Sequence, residues 1–274
     1  MKHVLSIINL LGVLLFCHGA AGAAEVGIIA ARQSGGSLDT SLRNEADNAK
    51  RLAAEWLVAR QQPDGSWGST NANTVLTPMA WLALKGMDAA IDAVARDRAV
   101  VWVDAQPLAS ITSLDGNTWR LLVVSQALPD SPERQARVRA LLDASDNDRP
   151  LYDRAGEYSR RFRWEVILPF CIAPAKPSPY ETEAQRTLAT VAQDYPLDTQ
   201  NPETLWHFAR LINRYGGGVW LRGTVALDWR NDFAQTLINT QRKDPSGGGH
   251  WGSGSDDDKL RATALALLAL REID

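Results

Sequence analysis

Apolar residues recur along this chain at the three-to-four residue spacing of helices, and the apolar stripe is alternately narrow and broad. In the first strong segment, from about Ser41, residues Leu42, Ala46, Ala49, Ala53, Trp56 and Leu57 share one helical face. Arg43, Asn44, Glu45, Asp47, Lys50 and Glu55 fill the other. Further amphipathic helices are expected to start near Ala89, Ser131, Pro179 and Thr224, a period of roughly 45 residues, the size of a helical-hairpin repeat. Each is followed by a more uniformly apolar helix, at about Thr77–Met87, Asn117–Leu128, Tyr158–Ile172, Pro202–Tyr215 and Leu260–Ile273. A helix with one apolar stripe can face water on its other side. A helix apolar nearly all round, such as the one through Trp119 to Val124, must be covered on several sides.

The alternation therefore predicts an outer layer of helices around an inner one. Starts are punctuated by a capping residue and a proline at Thr77-Pro78, Ser131-Pro132, Ser178-Pro179 and Asn201-Pro202. Gly216-Gly217-Gly218 is expected to close the fourth hairpin, and Pro169 to kink or stop the third inner helix near Leu168. Ala99 to Val103 is the best candidate strand, but its neighbours are helical. The prediction is an all-α protein of about five helical hairpins.

The corner between the first two helices carries the most specific pattern. In Trp56–Gly68, WLVARQQPDGSWG, Pro63 lacks an amide proton and ends the helix. Asp64-Gly65 supplies a turn, and Trp67 follows it. A small residue, an aromatic, an aliphatic and a glutamine, then Gly-x-Trp, stand here as Ala53, Trp56, Leu57, Gln61, Gly65 and Trp67. This resembles the QW repeat of the squalene cyclase and protein prenyltransferase superfamily. A weaker copy is Leu237, Gln241, Gly249, His250, Trp251 and Gly252. Thr236 stands in place of the aromatic, and extra residues, mostly glycine, separate Gln241 from Trp251. The resemblance covers the two ends of the chain and hardly touches the middle. It implies an α/α toroid, with inner and outer helix rings, in which Gln61 reaches a neighbouring helix end and Trp67 stacks on it. Full-size members have six hairpins, so a five-hairpin ring is smaller, open, or completed by another element.

Composition adds export to this picture. Residues 1–24 read as a signal peptide: Lys2, an apolar run from Val4 to Phe16, and a small-residue site that places cleavage near Ala23/Ala24. The run is too short for a comfortable membrane span, so no membrane span is expected after cleavage. Phe16 stands where a lipobox before Cys17 needs a small residue, which speaks against a lipoprotein. Residues 25–38 read as a flexible lead-in and 39–274 as the toroid domain. The expected location is periplasmic or secreted. The single remaining cysteine, Cys171, lies in an apolar run and reads as a buried inert thiol. Net charge is −3 over the whole chain, with no basic cluster interleaved with aromatics, so a nucleic-acid partner is not expected. Ten tryptophans against five phenylalanines suit stacked corners or an aromatic-lined cavity.

In such a ring the inner helices run parallel, and the turns before them line one mouth. Those turns hold Ser66 to Asn73, Asp115, Asn117, Tyr158, Gln200-Asn201, and His250 through Asp256, Asp257 and Asp258. The acidic triplet lies near where class II terpene cyclases carry their DxDD acid. It lacks the uncharged residue between the first two acids, and Lys259 to Ala262 intervene before Thr263. Helix capping, a cation site and a cyclase acid are its three readings. A proton-donating acid must stay neutral, whereas a helix N-terminus favours the carboxylate. Cys171 has no metal-ligand neighbour, so no zinc site of the prenyltransferase kind is expected. No cofactor is predicted. His207, between Trp206 and Phe208, reads as a core or cavity-wall residue, and His250 as structural. Glu165 closes a mixed charged and aromatic stretch from Glu157 that is either an anion or sugar site or a solvated helix start.

The leading functional expectation is a non-catalytic exported module that binds a small apolar ligand or a protein partner at the mouth. The alternative is a divergent enzyme, either a terpenoid cyclase or an (α/α)-barrel acting on polysaccharide through Tyr158, His207, Glu165 and nearby arginines.

Overall fold

The computed structural model describes residues 38–106, 200–215 and 218–274, with 119, 120, 123, 132, 188, 189 and 192–194. The described chain is predominantly helical. Its elements are α1 (Thr40–Ala59), α2 (Asn73–Leu84), α3 (Ala89–Ala105), a 3-10 turn (Ala192–Asp194), α4 (Pro202–Tyr215), α5 (Trp229–Thr240) and α6 (Asp256–Ile273). Two short antiparallel ribbons join them: β1 (Leu221–Arg222) with β2 (Val225–Ala226), and β3 (Arg242–Lys243) with β4 (Gly249–His250).

Two layers are visible. In one, α6 packs between α2 and α4; in the other, α1 packs between α3 and α5. Burial follows the sequence pattern. Leu76 to Leu84 on α2 are buried without interruption, as are Thr263 to Leu270 on α6. On α1 only the stripe of Ala46, Ala49, Ala53, Trp56 and Leu57 with its close neighbours is buried. Helices α2, α4 and α6 run parallel. At their N-terminal ends Asp257 of α6 holds Ser69 ahead of α2, and Arg261 of α6 pairs with Glu203 of α4 at 3.5 Å. At their C-terminal ends the Arg271 Nη1 donates to Leu82 O at 2.7 Å and Ala83 O at 3.2 Å, capping α2, and Asn213 of α4 donates to Glu272 O. Helix α1, in the other layer, is antiparallel to them, because its Arg43 and Lys50 meet Asp274 beyond the end of α6.

Some boundaries differ from the sequence reading. Thr77 and Pro78 are not a cap: α2 already starts at Asn73, and Pro78 sits inside it. The Thr77 hydroxyl instead accepts the Trp67 amide at 2.9 Å. The expected start at Thr224 falls in the β1–β2 ribbon, where Gly223 turns the chain, and α5 begins at Trp229. Ala99 to Val103 are helical, within α3. The last inner helix starts at Asp256 rather than Leu260, so the acidic triplet forms its first turn. Pro202 opens α4, and Asn201 Oδ1 accepts the Glu203 amide at 2.9 Å. The lead-in up to residue 37, Asp115, Asn117, Tyr158, Glu165, Pro169 and Cys171 lie outside the described residues. No described helix is long and apolar enough to cross a membrane.

Candidate functional site

The two corners are built from the same parts. At the first, the Trp67 indole donates to Leu57 O at 2.7 Å, and the Gln61 amide donates to Ala95 O on α3 at 2.7 Å. At the second, the Trp251 indole donates to Leu237 O at 2.8 Å, and the Gln241 amide donates to Ala49 O on α1 at 2.9 Å. Both tryptophan amides donate to a threonine hydroxyl of the following inner helix, Thr77 or Thr263. Both tryptophans are fully buried.

An aspartate completes each corner. Asp64 Oδ1 accepts the Ser66 amide and hydroxyl, and the Trp102 side chain of α3 lies beside its carboxylate and helps to lower it. Asp244 Oδ1 likewise accepts the Ser246 amide, and its Oδ2 accepts the Trp56 indole and Arg60 Nη2 of α1, both at 2.9 Å. These bonds, Ser66 and Ser246 foremost, hold both carboxyls below the usual carboxylate range, Asp244 far below it. Arg60 also lies 4.0 Å over the Trp56 ring, and His250 packs on that ring at 5.2 Å. The acceptor positions on α1 and α3 are in register: Ala49 matches Ala95, and Trp56 matches Trp102 at the same offset. The first corner thus ties the α1–α2 pair to α3, and the second ties the α5–α6 pair to α1, the first described helix.

Three features of this lock are not evident from the Gln and Trp pattern. Trp102 is one: Ala99, Trp102, Val103 and Gln106 repeat the small-aromatic-aliphatic-Gln order, but one residue fewer before the glutamine breaks the spacing. Arg60 is another. The third is Trp220, buried after α4, whose indole donates to Leu188 O at 2.9 Å.

A recess of about 430 Å³ opens where the inner helices begin, lined by Arg60, Gln62, Gly68, Ser69, Ser255, Asp256, Asp257 and Leu260. All three acids of the triplet lie at or beside it, and each has a separate task. Asp258 forms a capping box with Ser255: its carboxylate accepts the Ser255 amide and hydroxyl, and Ser255 Oγ accepts the Asp258 amide. Those bonds pull the Asp258 carboxyl down. Asp257 accepts the Ser69 amide at 2.8 Å and its hydroxyl at 2.6 Å. Asp256 is 80% exposed and pairs with Lys259 at 3.2 Å. Neither candidate histidine lines the recess. His207 is buried on α4 against Trp206, with ring centroids 4.9 Å apart, and His250 sits on Trp56 in the second corner. Among the described residues no group of His, Cys, Asp and Glu is placed to hold a metal ion.

A second charged cluster lies at the opposite end. Lys50 binds Asp47 at 2.7 Å and Asp274 at 2.9 Å. The wholly buried Asp92 carboxylate, 3.1 Å from Arg96, is pushed up by desolvation.

The sequence matches no family model, and neither a curated protein nor a solved structure is similar enough to match it.

Proposed function

We propose that this chain is an exported α/α toroid of the kind its QW-like corners resemble, and that it works as a non-catalytic binding module. The recess at the N-terminal ends of the inner helices forms part of the mouth through which it engages its partner. The observation that carries the reading is the disposition of the acidic triplet. A cyclase acid must be neutral at working pH and aimed at an alkene. Asp258 is held ionised in a capping box, Asp257 is bonded to Ser69, and Asp256 stands in solvent beside Lys259. Helix termination and corner stitching account for all three.

Of the two partner classes expected from the sequence, a protein surface suits the recess better than a small apolar ligand. Leu260 is its one apolar lining side chain, whereas Arg60, Gln62, Ser69, Ser255, Asp256 and Asp257 offer donors and acceptors. The test combines affinity capture in the protein's own export compartment with assays on isoprenoid and polysaccharide substrates. The expected result is one partner captured by the wild type and lost with Ser69→Trp, which fills the recess, and no substrate turnover. Turnover that disappears in Asp256→Asn or Asp257→Asn would establish the enzyme alternative and overturn the binding reading.

A further inference from the structure

Arg60 serves two places at once. It stands at the C-cap of α1, where its guanidinium lies 4.0 Å over the Trp56 ring and its Nη2 donates to Asp244 Oδ2 at 2.9 Å. The ring holds one face of the planar group and the carboxylate holds one corner of it, so little freedom is left to the side chain. A guanidinium carries five N–H donors. Among the described residues no group accepts from Nε or Nη1, and neither atom is buried. Arg60 also lines the recess at the N-terminal ends of α2 and α6. A positioned cation with unused donors is therefore offered to whatever enters there. Asp257 lines the same recess. Its oxygens accept the Ser69 amide and hydroxyl, both neutral donors, and no cation pairs with it among the described residues. Asp256, by contrast, has Lys259, and Arg60 has Asp244.

Together these groups select a ligand of mixed charge. A lone anion drawn to Arg60 meets Asp256 and Asp257 in the same recess of about 430 Å³, and a lone cation drawn to Asp257 meets Arg60. Such like-charge encounters count against a ligand of one sign. A base on Asp257 with a carboxylate beside it on Arg60 avoids both. Each contact is then a charge-assisted hydrogen bond, and Arg60 is held in place for it before the ligand arrives. We propose that the recess takes an acid–base pair of side chains from its protein partner, the base seated on Asp257 and the carboxylate on Arg60. This inference rests on the reading of the recess as a protein-binding mouth and adds the chemistry of the contact. In an extended partner segment, an acid and a base two residues apart point the same way and enter together.

Nuclear magnetic resonance titration of the isotope-labelled protein with end-blocked tripeptides tests this. The probes are Glu-Ala-Lys, Gln-Ala-Lys and Glu-Ala-Gln, and the reporters are the Arg60 Nε–H and the Ser69 amide. Glu-Ala-Lys is expected to shift both reporters. Gln-Ala-Lys should lose the Arg60 shift and Glu-Ala-Gln the Ser69 shift, each binding about tenfold more weakly. In Arg60→Gln the first two peptides should bind alike, and in Asp257→Asn Glu-Ala-Lys and Glu-Ala-Gln should bind alike. The wild-type series stands without the variants, so a loss of stability in Arg60→Gln does not blunt the test. No shift from Glu-Ala-Lys, or equal binding of all three peptides by the wild type, overturns the proposal. So does a captured partner that Ser69→Trp loses but Arg60→Gln and Asp257→Asn both hold at full strength, an outcome that leaves the binding module itself standing. Failure to capture any partner would remove the module reading instead, whatever the peptides show.

Discussion

Gly65 and Gly248 are where the corners press on the backbone of the helices they grip. Both have left-handed backbone, with φ of 92° and 78°. A β-carbon on Gly65 would lie 2.6 Å from Arg98 O of α3, and one on Gly248 would lie 2.9 Å from Leu52 O of α1. Backbone meets backbone in both cases, so no flexible side chain can yield. Gly247 has φ of 100° with nothing within 4 Å, and so isolates the conformational cost alone. Gly247→Ala is expected to lose about 1 kcal/mol, the ordinary cost of placing an L-residue there. Gly65→Ala and Gly248→Ala should lose about 2–4 kcal/mol, because overlap adds to that cost. Denaturant titration of the three variants checks the order; equal losses would show that the corners stand off from α3 and α1 rather than clamping them.

At the scale of the element, the second corner is a strap from Asp244 to Trp251 across the C-terminal half of α1, with one carboxylate at its centre. Asp244 gathers donors from Ser246, Trp56 and Arg60, all of which favour its ionised form. A carboxyl depressed in the fold contributes stability above the ordinary carboxylate range, and that stability is lost as pH falls from roughly 5 downward. Asp64 and Asp258 act in the same direction. Asp92, pushed up by burial, acts oppositely, since the folded state then holds its proton more tightly and gains as pH falls. Asp244→Asn should therefore flatten the acid limb of the stability profile, while Asp92→Asn should steepen it. Urea midpoints at neutral and acid pH measure both slopes, and an unchanged slope in Asp244→Asn would remove the carboxylate from the strap.

Much of this element was legible in the sequence, for physical reasons. Gln241 and Trp251 keep their order relative to Leu237 because the indole must reach a carbonyl at the end of the preceding helix. The layers were legible from the contrast between the striped α1 and the uniformly apolar α6. Other features depend on partners distant in the chain. Thr77 before Pro78 has the form of a cap, and only the Trp67 amide reveals that its hydroxyl is already engaged inside a helix. Ser255 and Asp258 have capping-box spacing, yet the surrounding glycines and serines read as loop until the reciprocal bonds are seen. The recess draws on Arg60, Gln62 and Ser69 from one end of the sequence and on Ser255 to Leu260 from the other, so no local pattern could assemble it.

For the whole molecule, the decisive feature is that corner contacts run from α5 to α1 and from α1 to α3, so sequence order and spatial order diverge at the second corner. Gln241 and Asp244 grip α1 192 and 188 residues away along the chain, with Gly248 against the same helix, and Asp39 N donates to Asn231 Oδ1 of α5 at 3.2 Å. Such a contact carries a long loop-closure cost that only the assembled fold recovers. Each corner acts chiefly on the outer helix it grips, because its glutamine and aspartate end on that helix. Weakening the second corner with Gln241→Ala should therefore loosen α1, and weakening the first with Gln61→Ala should loosen α3. Either loss removes about 1–2 kcal/mol of local hydrogen bonding, enough to speed amide exchange in the released helix by roughly 5–30-fold. Exchange at Ala49 to Trp56 should rise in the first variant, and at Ala95 to Trp102 in the second, with α6 protected in both. If protection instead fell evenly across all six described helices, the corners would be parts of one undivided cooperative core, and the picture of successive hairpins clamped in turn would fail.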